Sequence, residues 1–230
     1  MSVTYVLEGS VAIVKMDDGK ANALSVAMLD GLLAALTRAE TEASAMVLTG
    51  RPDRFCGGFD LKVMMTSPDA ATKLLQHGSE VLLRLYEATV PLVVACTGHA
   101  LAGGSLVVLT GDLRIGASGA FKIGLNEVSI GLPIPLLAME MARDRLVASE
   151  LVRATLLAQI YNPDDAVRAG YLDEVRSADE VLGRAKAEAA RLGALPRPAF
   201  RATKTRLRGK TIAHIRATMD EDMRTLLSGR

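Results

Sequence analysis

The apolar positions of this chain fall into short runs and longer periodic stretches, and the two kinds alternate. Val3 to Leu7 and Val11 to Met16 are β-prone runs joined by Glu8-Gly9-Ser10, which predicts a hairpin. Asp17-Asp18-Gly19-Lys20 breaks the pattern. Ser25 predicts the N-cap of a helix reaching about Ala39, with Met28, Leu29, Leu32, Leu33 and Leu36 on its apolar face. Ala45 to Thr49 predicts a short buried strand, Arg51 to Gly58 a loop, and Asp69 to Ala88 a long helix with Leu74, Leu75, Val81, Leu82 and Leu85 facing the core. Leu92 to Cys96 reads as a fully buried strand, Gly98 to Gly104 as a loop of small residues, and Ser105 to Thr110 as an apolar helix. Asp112 to Gly116 and Ala120 to Ile123 predict two more strands. From about Pro135 the pattern is helical, and Pro196 and Pro198 mark a hinge before the last segment. The recurring order of strand, loop, helix and strand argues for α/β layering with crossover connections.

Composition narrows the function classes. The chain has 230 residues, 50% of them hydrophobic and 23% charged, which is enough to bury a substantial core and excludes a mainly disordered chain. Lys and Arg number 27 against 26 Asp and Glu, aromatics make up 3%, and tryptophan is absent. Neither nucleic acid nor an anionic membrane is an expected partner of so balanced a surface. Ala88 to Gly111 carries no charged side chain, but Pro91 and four glycines make a strand, turn and buried helix a better reading than a membrane span. The N-terminus shows no basic stretch followed by an apolar run, so a cytoplasmic protein is expected. Cys56 and Cys96 form neither a disulfide framework nor a metal cluster and read as reduced thiols.

Two loops carry the chemistry. Phe55-Cys56-Gly57-Gly58-Phe59-Asp60-Leu61 and Gly98-His99-Ala100-Leu101-Ala102-Gly103-Gly104-Ser105 each follow a buried strand and precede a helix. Glycine lets the backbone approach a ligand, and a helix start leaves free N–H groups. Two such donors converging on one carbonyl oxygen would form an oxyanion hole. A third segment, Ile123-Gly124-Leu125-Asn126-Glu127-Val128, places one carboxylate among apolar residues. Glu127 reads equally well as a general base with a raised pKa or as a buried, paired structural acid. His99 lies in the second loop, Cys56 adjoins a proposed donor, and Met64-Met65 suits either an acyl pocket or the core.

In this order the segments resemble the crotonase superfamily, the enoyl-CoA hydratase and isomerase group. The matching pieces are Ala21-Asn22-Ala23-Leu24, the two glycine loops, Asp112-Leu113-Arg114-Ile115, Gly124-Leu125-Asn126-Glu127-Val128, Ala169-Gly170-Tyr171-Leu172-Asp173-Glu174-Val175, and Pro198 to Lys204. The resemblance implies an α/β spiral of ββα units over residues 1–195. It also implies a C-terminal helical segment, 196–230, used in trimerisation, so that a homotrimer or a dimer of trimers is expected. It implies a coenzyme A thioester as substrate and no permanently bound cofactor or metal. By position, the two oxyanion donors would be the N–H groups of Gly57 and Gly103, with Glu127 as the acid–base group. Ala21, Ala23, Leu24, Gly58, Phe59, Asp60, Leu61 and Gly104 would line the coenzyme A path, and Lys204 would meet its phosphates.

One departure steers the expected reaction. Hydratases of the family carry two glutamates, and the first of these positions is occupied here by Leu106. Adding water is easiest with two placed acid–base groups, whereas moving a double bond from C3–C4 to C2–C3 needs one carboxylate and an oxyanion hole. The expected activity is therefore conversion of a 3-enoyl-CoA to 2-trans-enoyl-CoA. Hydration of 2-trans-enoyl-CoA in fatty-acid oxidation and non-catalytic acyl-CoA binding are the alternatives.

Overall fold

The computed structural model describes residues 2–228. In chain order the elements are β1 (Val3–Glu8), β2 (Val11–Met16), α1 (Val26–Glu42), β3 (Ala45–Thr49), β4 (Asp53–Cys56), α2 (Leu61–Met64), α3 (Pro68–Tyr86), β5 (Leu92–Cys96), β6 (Gly98–Leu101), α4 (Gly103–Thr110), β7 (Leu113–Ala117), β8 (Ile123–Gly124), α5 (Leu136–Arg145), α6 (Leu151–Ala154), α7 (Pro163–Ala169), β9 (Glu174–Arg176), α8 (Val181–Gly193) and α9 (Arg197–Ser228). A six-stranded sheet runs β1-β2-β3-β5-β7-β9, and a three-stranded sheet runs β4-β6-β8. Only the β1–β2 hairpin is antiparallel among these pairs. From β3 to β8, three successive turns each lay one strand in the large sheet and the next in the small sheet before returning through helix.

Strand side chains sort by parity. Ala12, Val14, Met46, Leu48, Val94 and Cys96 enter the core shared with α1, α3 and α4. Val11, Ile13, Ala45, Val47, Val93 and Ala95 point to the other face, where Val181, Ala185 and Ala189 of α8 cover them. Burial on both faces is why β3 and β5 read as unbroken apolar runs. Ser25 caps α1 by accepting from the Met28 N–H at 3.3 Å.

The structure departs from the expected elements at the small sheet. The stretches read as loops at 51–58 and 98–104 contain β4 and β6, and the strand expected over 120–123 is the two-residue β8. These strands are too short and too polar to show a period. Their pairing rests on close approach instead: a Cβ on Gly98 would stand 2.1 Å from the Asp53 carbonyl carbon. The helical reading beyond Pro135 likewise missed β9, which extends the large sheet beside β7.

The C-terminal segment is one helix, with Pro198 in its first turn, where its missing N–H is tolerated. Ile212, Ile215, Met219 and Met223 are buried in the same core as α3 and α4, so this helix packs on its own chain. Residues 229 and 230 of the expected 196–230 segment lie outside the described residues. No described helix is long and apolar enough to cross a membrane.

Candidate active site

Three segments meet at one end of the small sheet: the turn after β4, the start of α4 and the turn after β8. They enclose a cavity of about 200 Å³, with Gly57, Phe59, Gly103, Leu106, Asn126 and Glu127 in its lining. The remaining walls are apolar and include Leu61, Met64, Leu75, Leu101, Ile130, Leu132 and Leu226. Met64 is buried in this lining while Met65 is 83% exposed, so the Met-Met pair divides between pocket and solvent.

The first glycine loop is laced to Ala21–Leu24 by backbone hydrogen bonds. Gly57 N–H donates to Ala21 C=O at 2.8 Å, Leu24 N–H to Gly58 C=O at 2.8 Å, and Asp60 N–H to Leu24 C=O at 3.3 Å. This corrects the expected donor. Gly57 already spends its N–H on Ala21 and has none to offer a ligand. In the parallel bridge between Leu24 and Phe59, Leu24 bonds to residues 58 and 60, so the Phe59 N–H points the other way. It finds no acceptor among the described residues. Gly58 has φ +92°, and a Cβ there would stand 3.0 Å from Leu101 C=O and 3.3 Å from Gly103 N, so only glycine lets this turn lie against the second loop.

The second donor is Gly103, the first residue of α4, whose N–H finds no acceptor among the described residues. It follows Ala102, held at φ +49°, a conformation costly for any residue with a Cβ. Ala102 N–H donates to Gly124 C=O at 3.0 Å, and its own C=O accepts from Ser105 and Leu106 at 2.9 and 3.2 Å. Gly104 packs on β4 so closely that a Cβ would fall 2.0 Å from Cys56 C=O.

Glu127 is 7% exposed, and its Oε2 has no hydrogen-bond partner. Burial without a cation raises its pKa to about 7. No cation among the described residues pairs with it, unlike the structural alternative of a buried acid in an ion pair. Among the described residues it is the one ionisable side chain lining the cavity. Leu106, 2% exposed, occupies the same lining.

Other expected residues lie elsewhere or act differently. Lys204 is not brought to this cavity: it is 7% exposed, and its Nζ sits 2.8 Å from Asp112, which also pairs with Arg208 at 3.0 Å. Burial lowers its pKa to about 8. The ammonium is thus paired with a carboxylate of its own chain, and Lys204 lines a separate cavity with Glu87, Arg201 and Arg216. Asp60 caps α2 by accepting from Lys62 N–H at 2.9 Å. Leu24 is fully buried beneath Gly103, Ala23 is half-buried and Ala21 exposed. His99 accepts from Lys122 N–H at 3.0 Å through Nδ1 and stacks edge-on against Phe121. Cys56 and Cys96 are buried, with thiol pKa values pushed up to about 12, which makes them poor nucleophiles. No group of His, Cys, Asp and Glu able to hold a metal occurs among the described residues.

The sequence reading passed over Asn22. It is buried at φ +52°, and its Nδ2 reaches Met16, Arg54 and Phe55 carbonyls at 3.0, 3.1 and 3.1 Å. It thereby fixes the loop that carries Phe59 to the end of β2. Its signal was present: an Asn beside a turn is the residue type that tolerates positive φ.

Fold and cleft together define an α/β enzyme with a desolvated carboxyl beside unpaired backbone amides. A family model described as "Enoyl-CoA hydratase/isomerase" matches residues 7–228, and the chain belongs to that family, whose members are enzymes acting on coenzyme A thioesters. It is 31% identical over 223 residues to the human enoyl-CoA delta isomerase 1, mitochondrial, covering 95% of this chain and 74% of that protein. It is also 31% identical, over 187 residues, to the short-chain-enoyl-CoA hydratase of Clostridium acetobutylicum, covering 78% of this chain and 70% of that one. The crystal structure of an enoyl-CoA hydratase/isomerase family protein from Pseudomonas syringae superposes with a TM-score of 0.95 at 38% identity, covering 98% of each chain.

Proposed function

We propose that the chain shifts the double bond of a 3-enoyl-CoA to the 2-trans position. The observation that carries this reading is the pairing of Glu127 with Leu106 in one apolar cavity: one acid–base group and no second one. The thioester oxygen accepts from the N–H groups of Phe59 and Gly103. Glu127 removes a proton from C2, the negative charge moves onto the thioester oxygen, and the two amides stabilise it. The C3–C4 electrons remain conjugated in the dienolate. Glu127, now protonated, returns the proton to C4, and the double bond settles at C2–C3. One proton leaves and one returns, so the carboxylate is regenerated. Coenzyme A enters and leaves as part of the substrate, and a homotrimer or dimer of trimers is part of the same reading.

Hydration draws on a different observation. Asn126 lines the same cavity, and its Oδ1 is buried without a partner, so it could accept from a water. The two readings separate on substrate. A 3-enoyl-CoA should gain the absorbance of the conjugated thioester, with product analysis giving the 2-trans isomer. Crotonyl-CoA should keep its absorbance. Rapid loss of that chromophore would replace the isomerase reading with the hydratase one.

A further inference from the structure

Ser105 is buried completely, yet its side chain is saturated with hydrogen bonds. Its Oγ lies 2.7 Å from Ala100 C=O and 3.0 Å from Gly124 C=O, and it accepts from Gly124 N–H at 2.9 Å. A hydroxyl has one hydrogen, so the two carbonyls share it while the lone pairs face the Gly124 amide. Ser105 stands two residues after Gly103, the proposed oxyanion donor. Gly124 stands three residues before Glu127. From the same helical turn, Gly104 rests on Cys56, three residues before Phe59. The first turn of α4 is therefore the common reference for all three reacting groups.

The link to Phe59 is steric contact. The link to Glu127 runs through Ser105 Oγ and the single backbone bond from Ala102 to Gly124. β8 has only two residues; its other edge is held by the reciprocal Ile123–Tyr161 backbone pair at 2.9 Å, which fixes the strand but does not tie it to α4. We infer that Ser105 is a positioning residue: it sets the separation between the oxyanion amides and the Glu127 carboxylate, and it touches no substrate atom itself. This rests on the reading of Glu127 as the proton shuttle. Misplacement of a reacting group by about 1 Å can cost roughly 10²-fold in rate. Loss of the hydroxyl should therefore appear in turnover and not in binding.

The test uses the full-length enzyme with Ser105→Ala, Ser105→Thr and Ser105→Cys, alone and combined with Glu127→Gln. Ser105→Ala should lower kcat on a 3-enoyl-CoA by about 10–100-fold, with KM and the Kd for a saturated acyl-CoA little changed. Ser105→Thr, which keeps the hydroxyl, should recover most of the rate, and Ser105→Cys should fall between. In the Glu127→Gln background the alanine change should cost almost nothing, since the group being positioned is gone. Three results overturn the inference: wild-type kcat in Ser105→Ala, equal damage to kcat and acyl-CoA binding, or full additivity with Glu127→Gln. If Ser105→Ala does not fold, the threonine and cysteine variants decide by the same criteria. A wild-type enzyme inert toward 3-enoyl thioesters would instead remove the shuttle reading itself, and Ser105 positioning with it.

Discussion

The Phe59 ring lies against the α-carbon of Gly103: a Cβ built there would stand 2.9 Å from Phe59 Cδ2 and 3.1 Å from Leu24 Cδ1. The two residues proposed to share the thioester oxygen are thus packed against each other. Gly103→Ala should push the ring or tilt the first turn of α4, and either movement misaligns a donor. Steady-state kinetics should show kcat reduced by about 10²-fold, the scale of losing one oxyanion donor. Circular dichroism should show the fold retained. Undiminished kcat would mean that the close packing of Phe59 on Gly103 does not set the alignment of the two donors.

The choice between Phe59 and Gly57 can be tested atom by atom. Replacing the backbone amide by an ester at one residue removes its N–H and leaves the side chain intact. At Phe59 the replacement should cost kcat by about 10²-fold. At Gly57 it removes the bond to Ala21 and should lower stability by about 1 kcal/mol, with kcat nearly preserved. The reverse pattern would restore Gly57 as the donor.

The raised Glu127 pKa makes a prediction about pH. The carboxyl titrates near its ordinary 4.5 in the unfolded chain and at about 7 in the folded one. Between these values the folded state binds the extra proton, so stability falls as pH rises through that window and levels off above it. Glu127→Gln removes this penalty. Thermal denaturation should show the variant more stable than wild type by on the order of 3 kcal/mol at pH 8, and no more stable at pH 4. Wild-type kcat should climb through pH 7 as the base ionises, while the variant should show no such rise and lie about 10²–10⁴-fold below the wild-type plateau.

Leu106→Glu places a second carboxyl in the lining. Crotonyl-CoA, expected to keep its absorbance with the wild type, should then lose it measurably, and turnover of a 3-enoyl-CoA should drop as two acids share one apolar site. A well-folded variant without any hydration would show that more than a missing acid separates the two chemistries.

The middle of the large sheet was legible because β3 and β5 are buried on both faces and leave continuous apolar runs, while its edge strand β9 was hidden in a stretch read as helical. The small sheet was not, because Asp53, Arg54, Gly98 and His99 form strands through close backbone approach rather than through an apolar period. Glu127 stood out as a lone carboxylate among aliphatic residues. The donor facing it could not be read from the sequence, since whether Gly57 or Phe59 keeps a free N–H depends on where Ala21 directs its carbonyl. Distance along the chain hid the rest. Lys204 meets a carboxylate 92 residues away, and Ser105 finds two of its three bonds at a position 19 residues on.

Leu226 lines the cavity, and Asp222, one turn earlier in α9, accepts from the Leu136 N–H at 2.7 Å where α5 begins. The cavity therefore borrows a wall from α9, far along the chain from the two glycine loops and Glu127. During synthesis the two glycine loops and Glu127 emerge long before that wall does. Enclosure of the site depends on α9 being docked against the core, and a chain with that helix undocked would lack one wall of the cavity.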